Sequence, residues 1–211
     1  MKTVLCSHGF GVKADSKGMF TAIAAAFPAI DFRMFDLNDE RPDGDTYVRP
    51  LDGMAAELQD RIDIADGEII LLCHSLGCVV AGLVDTARVS KIVLLAPPDK
   101  IDHERYIARL RSRKGSEIDL SGMSVLPRTD GSTTYLPKEF FASVANADLM
   151  ELYRKIAADK PTVIIRALQD EMIGLTKIDT IKNARIVDLD TDHNFTGEGR
   201  QKLIGVLCNI L

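Results

Sequence analysis

The sequence predicts an α/β protein: a doubly wound, mostly parallel sheet of about six strands with helices on both faces. Three observations predict it. Short apolar runs alternate with helix-period segments along nearly the whole chain. Several runs, such as Ile69–Leu72 and Ile92–Ala96, are apolar without interruption, as strands covered on both faces are. The run ending at Cys73-His74-Ser75-Leu76-Gly77 passes at once into a small-residue helical stretch, Cys78–Val84. A strand that turns sharply into a helix at a serine lifts the hydroxyl above the sheet edge.

The elements follow in order. Thr3–Cys6 reads as a buried first strand ending in the glycine loop Ser7-His8-Gly9-Phe10-Gly11. Met19, Phe20, Ile23, Ala24 and Phe27 have helical spacing, with Asp15 or Ser16 as N-cap and Pro28 as stop. Asp31–Leu37 is a second strand, and the polar segment Asn38–Tyr47, holding Pro42 and Gly44, is a loop. Leu51, Met54, Ala55, Leu58 and Ile62 mark an amphipathic helix. Glu68–Cys73 is a strand, and the helix after Ser75 runs to about Arg88. Strands follow at Lys91–Ala96, Thr162–Ala167 and Ala184–Leu189. A last helix carries Leu203, Ile204, Val206, Leu207, Ile210 and Leu211.

Residues 98–158 interrupt this alternation and read as a short cap on a single domain spanning 1–211. No buried strand is expected there. Ile101–Arg113 and Asp148–Ala158 read as helices, with another opened by Pro137. Met123–Arg128 and Ser132–Leu136 flank Thr129-Asp130-Gly131 as a hairpin. An insertion at the C-terminal edge of the strands is placed to cover a pocket.

Composition bounds the function. Hydrophobic residues make up 46% and charged residues 27% of 211, as in soluble globular proteins. A net charge of -5 argues against a nucleic-acid surface. No apolar run approaches the ~20 residues of a membrane span. The N-terminus has too short an apolar stretch for a signal peptide, so a cytoplasmic protein is expected. Cys6, Cys73 and Cys78 lie in apolar patterns and read as buried thiols; the spacing of Cys73 and Cys78, without a second ligand pair, does not make a zinc site. Neither a metal nor an organic cofactor is implied.

A serine needs a base, a group that orients the base, and donors for the oxyanion. Four histidines are available. His74 adjoins the serine and reads as packing against the turn. His103 reads as a surface residue and His8 as a hydrogen-bonding residue of the glycine loop. His193, in Thr191-Asp192-His193-Asn194-Phe195, follows the last strand directly, and Asp170 follows the strand Thr162–Ala167. Both stand at the sheet edge that carries Ser75. Asp99 is the alternative acid, because it follows the strand Lys91–Ala96; Asp188, Asp190 and Asp192 lie too near His193 in sequence to come from a separate strand end.

These residues resemble the α/β-hydrolase superfamily, and the small single-domain serine hydrolases within it: the turn Cys73–Gly77, the loop His8-Gly9-Phe10-Gly11, and the chain order serine, aspartate, histidine. Cys73 stands where that pattern usually has glycine. The resemblance implies Ser75 as nucleophile, His193 as base, Asp170 as its orienter, and the backbone N–H groups of Phe10 and Leu76 as oxyanion donors. It implies hydrolysis of a carboxylic ester with a small or medium acyl group through an acyl-enzyme. Each oxyanion donor is worth on the order of 3 kcal/mol of barrier. A peptidase or amidase with the same triad, and a catalytically silent binding protein of the same fold, are the alternatives. The partner expected is a small-molecule ester or amide. Tyr106, Leu110, Phe140, Phe141 and Tyr153 either line its acyl pocket or pack the cap onto the body. Arg105, Arg109 and Arg113, on one helix face, either attract an anionic substrate or form a solvated stripe.

Overall fold

The computed structural model describes residues 1–100, 103–128 and 130–211. Ile101 of the expected helix, Thr129 of the expected turn and the side chain of His103 lie outside the described residues. The first sheet has six parallel strands: β1 (Lys2–Ser7), β2 (Asp31–Met34), β5 (Glu68–His74), β6 (Val89–Leu95), β9 (Thr162–Ala167) and β10 (Ala184–Leu189). Their order across the sheet is β10-β9-β6-β5-β1-β2. The strand bearing Ser75 is therefore central, with β1 and β6 as neighbours.

Its apolar runs are explained by two faces. Leu71 and Cys73 of β5 join Leu5, Ile92, Leu94 and Ile164 in one core, under α2 (Leu51–Ile64) and α3 (Leu76–Ala81). Ile70 and Leu72 point the other way, with Val4, Cys6, Val93, Leu95 and Ile165, under α1 (Met19–Ala26) and α7 (Glu198–Leu207). Each such side chain leaving water contributes about 1.5–3 kcal/mol. The doubly wound reading thus follows from residues that alternate in direction while remaining uniformly apolar.

Four local expectations are corrected. The first helix is capped at Gly18, not at Asp15 or Ser16, because the Ser16 hydroxyl is bonded to His74. Strand β2 ends at Met34, short of Leu37, whose backbone N–H leaves the ladder and donates to His8 Nε2 at 2.9 Å. Helix α3 stops at Ala81 rather than near Arg88; beyond Gly82 the chain turns, and Asp85 accepts from the Ala87 N–H.

The fourth is the largest. Residues 98–158 do contain buried strand: β7 (Met123–Pro127) and β8 (Thr133–Pro137) form the expected antiparallel hairpin, with Ser124, Leu126, Thr134 and Leu136 buried. They belong to a second sheet, β3-β4-β8-β7, whose other strands are β3 (Asp39–Glu40) and β4 (Thr46–Tyr47), inside the segment read as a loop. Pro42 and Gly44 make the turn between those strands rather than a long loop. The segment 39–48 and residues 98–158 are linked within this sheet: Val48 N–H donates to the Tyr135 carbonyl, and Tyr47 and Tyr135 stack at 4.5 Å. Helices α4 (His103–Arg111), α5 (Lys138–Ala145) and α6 (Leu149–Asp159) complete the segment. Asp148 caps α6, and the Ser143 hydroxyl of α5 accepts the Leu51 N–H at the start of α2.

Candidate active site

Ser75 stands between β5 and α3 with φ 53° and ψ -118°, a backbone that costs a non-glycine residue about 1–3 kcal/mol. The turn is held from both sides: Ser75 N–H donates to the Leu95 carbonyl at 2.9 Å, and Cys78 N–H to the Ser75 carbonyl at 3.0 Å. Gly77 makes it possible, since a Cβ there would sit 2.2 Å from the Ser7 carbonyl oxygen. Cys73, the residue in place of the usual glycine, is accommodated inside the core, where its carbonyl accepts from Cys78 Sγ–H. Burial raises the thiol pKa of Cys73, which leaves it no thiolate character.

Asp170 and His193 meet. His193 Nδ1 lies 2.6 Å from Asp170 Oδ2, and both residues are buried. The carboxylate accepts, so Nδ1 carries the proton and Nε2 keeps its lone pair. The other carboxylate oxygen accepts the N–H groups of Met172 and Ile173, both at 2.9 Å, which fixes the carboxylate plane. The remaining acids are occupied elsewhere. Asp99 accepts the Lys177 N–H, Asp188 pairs with Arg166, Asp190 with Gln169, and Asp192 caps Thr196. Among the described residues no hydrogen bond joins the Ser75 hydroxyl to His193; the nearest link between their elements runs through His74, whose ring lies 5.0 Å from that of His193.

Leu76 follows Ser75 directly, and Phe10 follows Gly9 of the loop beside it; among the described residues neither N–H donates to a turn or loop carbonyl. Gly9 lets the loop approach: its Cβ position is 3.2 Å from Ser75 Cβ. His8, as expected, is a hydrogen-bonding residue. Its Nε2 accepts the Leu37 N–H, and its Nδ1–H therefore donates to the Gly9 carbonyl at 2.8 Å.

Of the aromatic residues, Tyr106 and Phe140 pack directly on Phe10, each with ring centroids 5.4 Å away. Leu110, Phe141 and Tyr153 are buried in the core that joins 98–158 to the body. Arg109 donates to the Glu171 carbonyl, next to Asp170. Sequence reasoning missed Glu171, Ser16 and Arg200, which touch the His193 segment or the ring beside it. A polar residue at a strand end carries no signal for such a contact.

Two buried histidines set a pH dependence. Burial, and next the neighbouring His193, push the His74 pKa down to about 3. Burial also lowers that of His8. Unfolded histidines titrate near ~6.5, so from there down to the folded value the unfolded chain binds more protons and stability falls as pH falls. Each ring contributes up to about 1.4 kcal/mol per pH unit in that window. The urea midpoint is expected to drop on acidification from neutral pH to about pH 5, and His74→Gln is expected to flatten that dependence. An unchanged slope in the variant would contradict a neutral buried ring.

Among the described residues no group of three or more His, Cys, Asp or Glu side chains is arranged to hold a metal ion, and no helix is long and apolar enough to cross a membrane. No curated protein matches the chain. Solved structures do. Est1E from Butyrivibrio proteoclasticus superposes with a TM-score of 0.69 at 16% identity, over 99% of this chain and 86% of that one. The esterase domain of a Rhodothermus marinus protein gives 0.66 at 18%, over 99% and 85%. An enol-lactonase from Burkholderia xenovorans gives 0.64 at 14%, over 99% and 90%. At these identities the likeness is one of fold. The alpha/beta hydrolase family model matches residues 4–188, a stretch that takes in Ser75 and Asp170 and stops short of His193. With that match over most of its length and six parallel strands in the corresponding order, the chain belongs to the alpha/beta hydrolase family.

Proposed function

We propose that the protein is a serine hydrolase that cleaves carboxylic esters, with Ser75 as nucleophile, His193 as general base and acid, and Asp170 as the group that orients His193. The observation that carries this reading is the 2.6 Å bond from His193 Nδ1 to Asp170, which leaves Nε2 as a base at the edge where the turn presents Ser75. His193 Nε2 accepts the hydroxyl proton as Ser75 Oγ bonds to the ester carbonyl carbon. The carbonyl π electrons move to oxygen, and the N–H groups of Phe10 and Leu76 donate hydrogen bonds to the resulting oxyanion. Collapse expels the alcohol, which takes the proton from His193. Water then repeats the sequence on the acyl-enzyme and releases the acid. The missing Oγ–Nε2 hydrogen bond is one that tightens in the substrate complex. Esters are favoured because the structural neighbours include two esterases and a lactonase. Tyr106 and Phe140, packed on Phe10, form the apolar wall nearest the oxyanion donors and suit a small or medium acyl group.

The test is covalent labelling of the intact protein with a fluorophosphonate, followed by peptide mapping and p-nitrophenyl ester turnover. One adduct per chain, on Ser75, is expected together with turnover. A protein that neither labels nor turns over any ester of the series, or that labels elsewhere, refutes the proposal.

A further inference from the structure

His74 is wholly buried, adjoins Ser75, and takes no part in the proton transfers above. Its Nε2 lies 3.0 Å from the His193 carbonyl oxygen, which can only accept, so Nε2 bears the proton and donates. Its Nδ1 is then a lone pair, and it accepts from Ser16 Oγ at 3.1 Å. Ser16 is buried and opens three successive left-handed residues, Ser16, Lys17 and Gly18, with φ of 50°, 56° and 76°. Two of these are not glycine, so surrounding structure must impose the conformation.

What the turn accomplishes is visible on its two sides. It aims the Ser16 hydroxyl at His74, and it aims the Gly18 carbonyl at Arg200 Nη1, 3.1 Å away. Arg200 also donates to the carbonyls of Asn194 and Phe195, at 3.0 and 2.9 Å. The carbonyls of residues 193, 194 and 195 are thus all held, the last two by Arg200 and the first by His74 from the strand that carries the nucleophile. The Glu171 carboxylate accepts the His193 N–H at 3.2 Å. Among the described residues, His74 is the partner that ties the main chain of His193 to the serine turn itself.

We propose that His74 is a positioning residue: with its Nδ1 held by the Ser16 hydroxyl, it donates from Nε2 to the His193 carbonyl and so sets the His193 imidazole against Ser75. This rests on the reading of Ser75 and His193 as nucleophile and base. A shape-filling role would need only the ring's volume. A positioning role needs the Nε2 donor.

Three variants separate these roles. His74→Gln keeps an N–H donor at about the reach of Nε2 and an oxygen for Ser16. His74→Leu keeps volume alone. Ser16→Ala leaves the ring and removes the hydroxyl that holds its Nδ1. With p-nitrophenyl acetate as substrate, His74→Leu is expected to lower kcat on the order of 100-fold with KM within about twofold, the size of effect that a misplacement near 1 Å produces. His74→Gln should recover to within about tenfold of wild type, and Ser16→Ala should lose about three- to tenfold in kcat, intermediate misalignments on the same scale. The downfield proton resonance of His193 Nδ1–H should move or broaden in His74→Leu and persist in His74→Gln. Equal kcat losses in the Leu and Gln variants with that resonance unmoved, or wild-type kcat in His74→Leu, would overturn the proposal. Should His74→Leu fail to fold, wild-type kcat and an unmoved resonance in Ser16→Ala overturn it instead. If the wild type itself does not label or turn over, the nucleophile reading has failed, and the resonance still decides whether His74 holds His193.

Discussion

Replacing Ser75 by alanine is expected to lower kcat for p-nitrophenyl esters by on the order of 10⁵–10⁶-fold, while the unfolding free energy is unchanged. The size follows from what is removed. Without Oγ there is no covalent step, and the base and donors that remain supply only the residual acceleration of a bound, polarised ester. The unchanged stability follows from the backbone. At φ 53° the serine turn is strained in the native state whichever of the two residues occupies it, and the hydroxyl forms no hydrogen bond to His193 whose loss would cost stability. The measurement is steady-state kinetics with a urea titration of the same preparation. A variant with more than about a tenth of wild-type kcat would remove Ser75 from the mechanism.

The second large effect is expected at the acid. Asp170→Asn keeps the shape and should keep the two N–H bonds from Met172 and Ile173. It replaces one acceptor oxygen by an amide that donates toward His193 Nδ1, or presents a weaker acceptor there. Either way the tautomer with a free Nε2 is no longer enforced, and a loss of about 10³–10⁴-fold in kcat follows. Asp99→Asn is expected to leave kcat within about twofold, since its carboxylate holds the Lys177 N–H and no atom of His193. Should the two variants exchange these outcomes, the orienting role would pass to Asp99.

How much of this was legible before the structure differs by element. The central strands were, because β1, β5, β6 and β9 are apolar runs buried on both faces; the half-buried outer strands β2 and β10 were legible from their place in the alternation with helices. Asp170 and His193 were legible as members of one edge, because each follows such a run directly, and the structure brings them into contact. The hairpin at 123–137 was legible from its Asp-Gly turn. Its partners were not: β3 and β4 are two residues each, too short for periodicity to register, and pairing across nearly 90 residues leaves no local trace. The surroundings of His193 were illegible for another reason. Glu171 accepts the His193 N–H, Arg200 donates to the carbonyls of Asn194 and Phe195, and Ser16 meets the ring of His74; such contacts depend on where loops meet rather than on which residues neighbour which.

The pairing of β4 with β8 bears on how members of this family diverge. A segment inserted between strands of a parallel sheet would ordinarily be exchangeable as a cassette, cut at its two junctions. Here one edge of residues 98–158 is completed by 46–47, its α5 supplies the hydroxyl that meets the start of α2, and Asp45 accepts the Thr133 N–H. The transferable unit is therefore discontinuous: residues 39–50 must travel with 98–158. A chimera that exchanges 98–158 alone leaves β4 paired only with β3 and the first turn of α2 without its partner. Changes in length or composition near Asp45 and Tyr47 will in turn disturb β8, some 90 residues further along the chain.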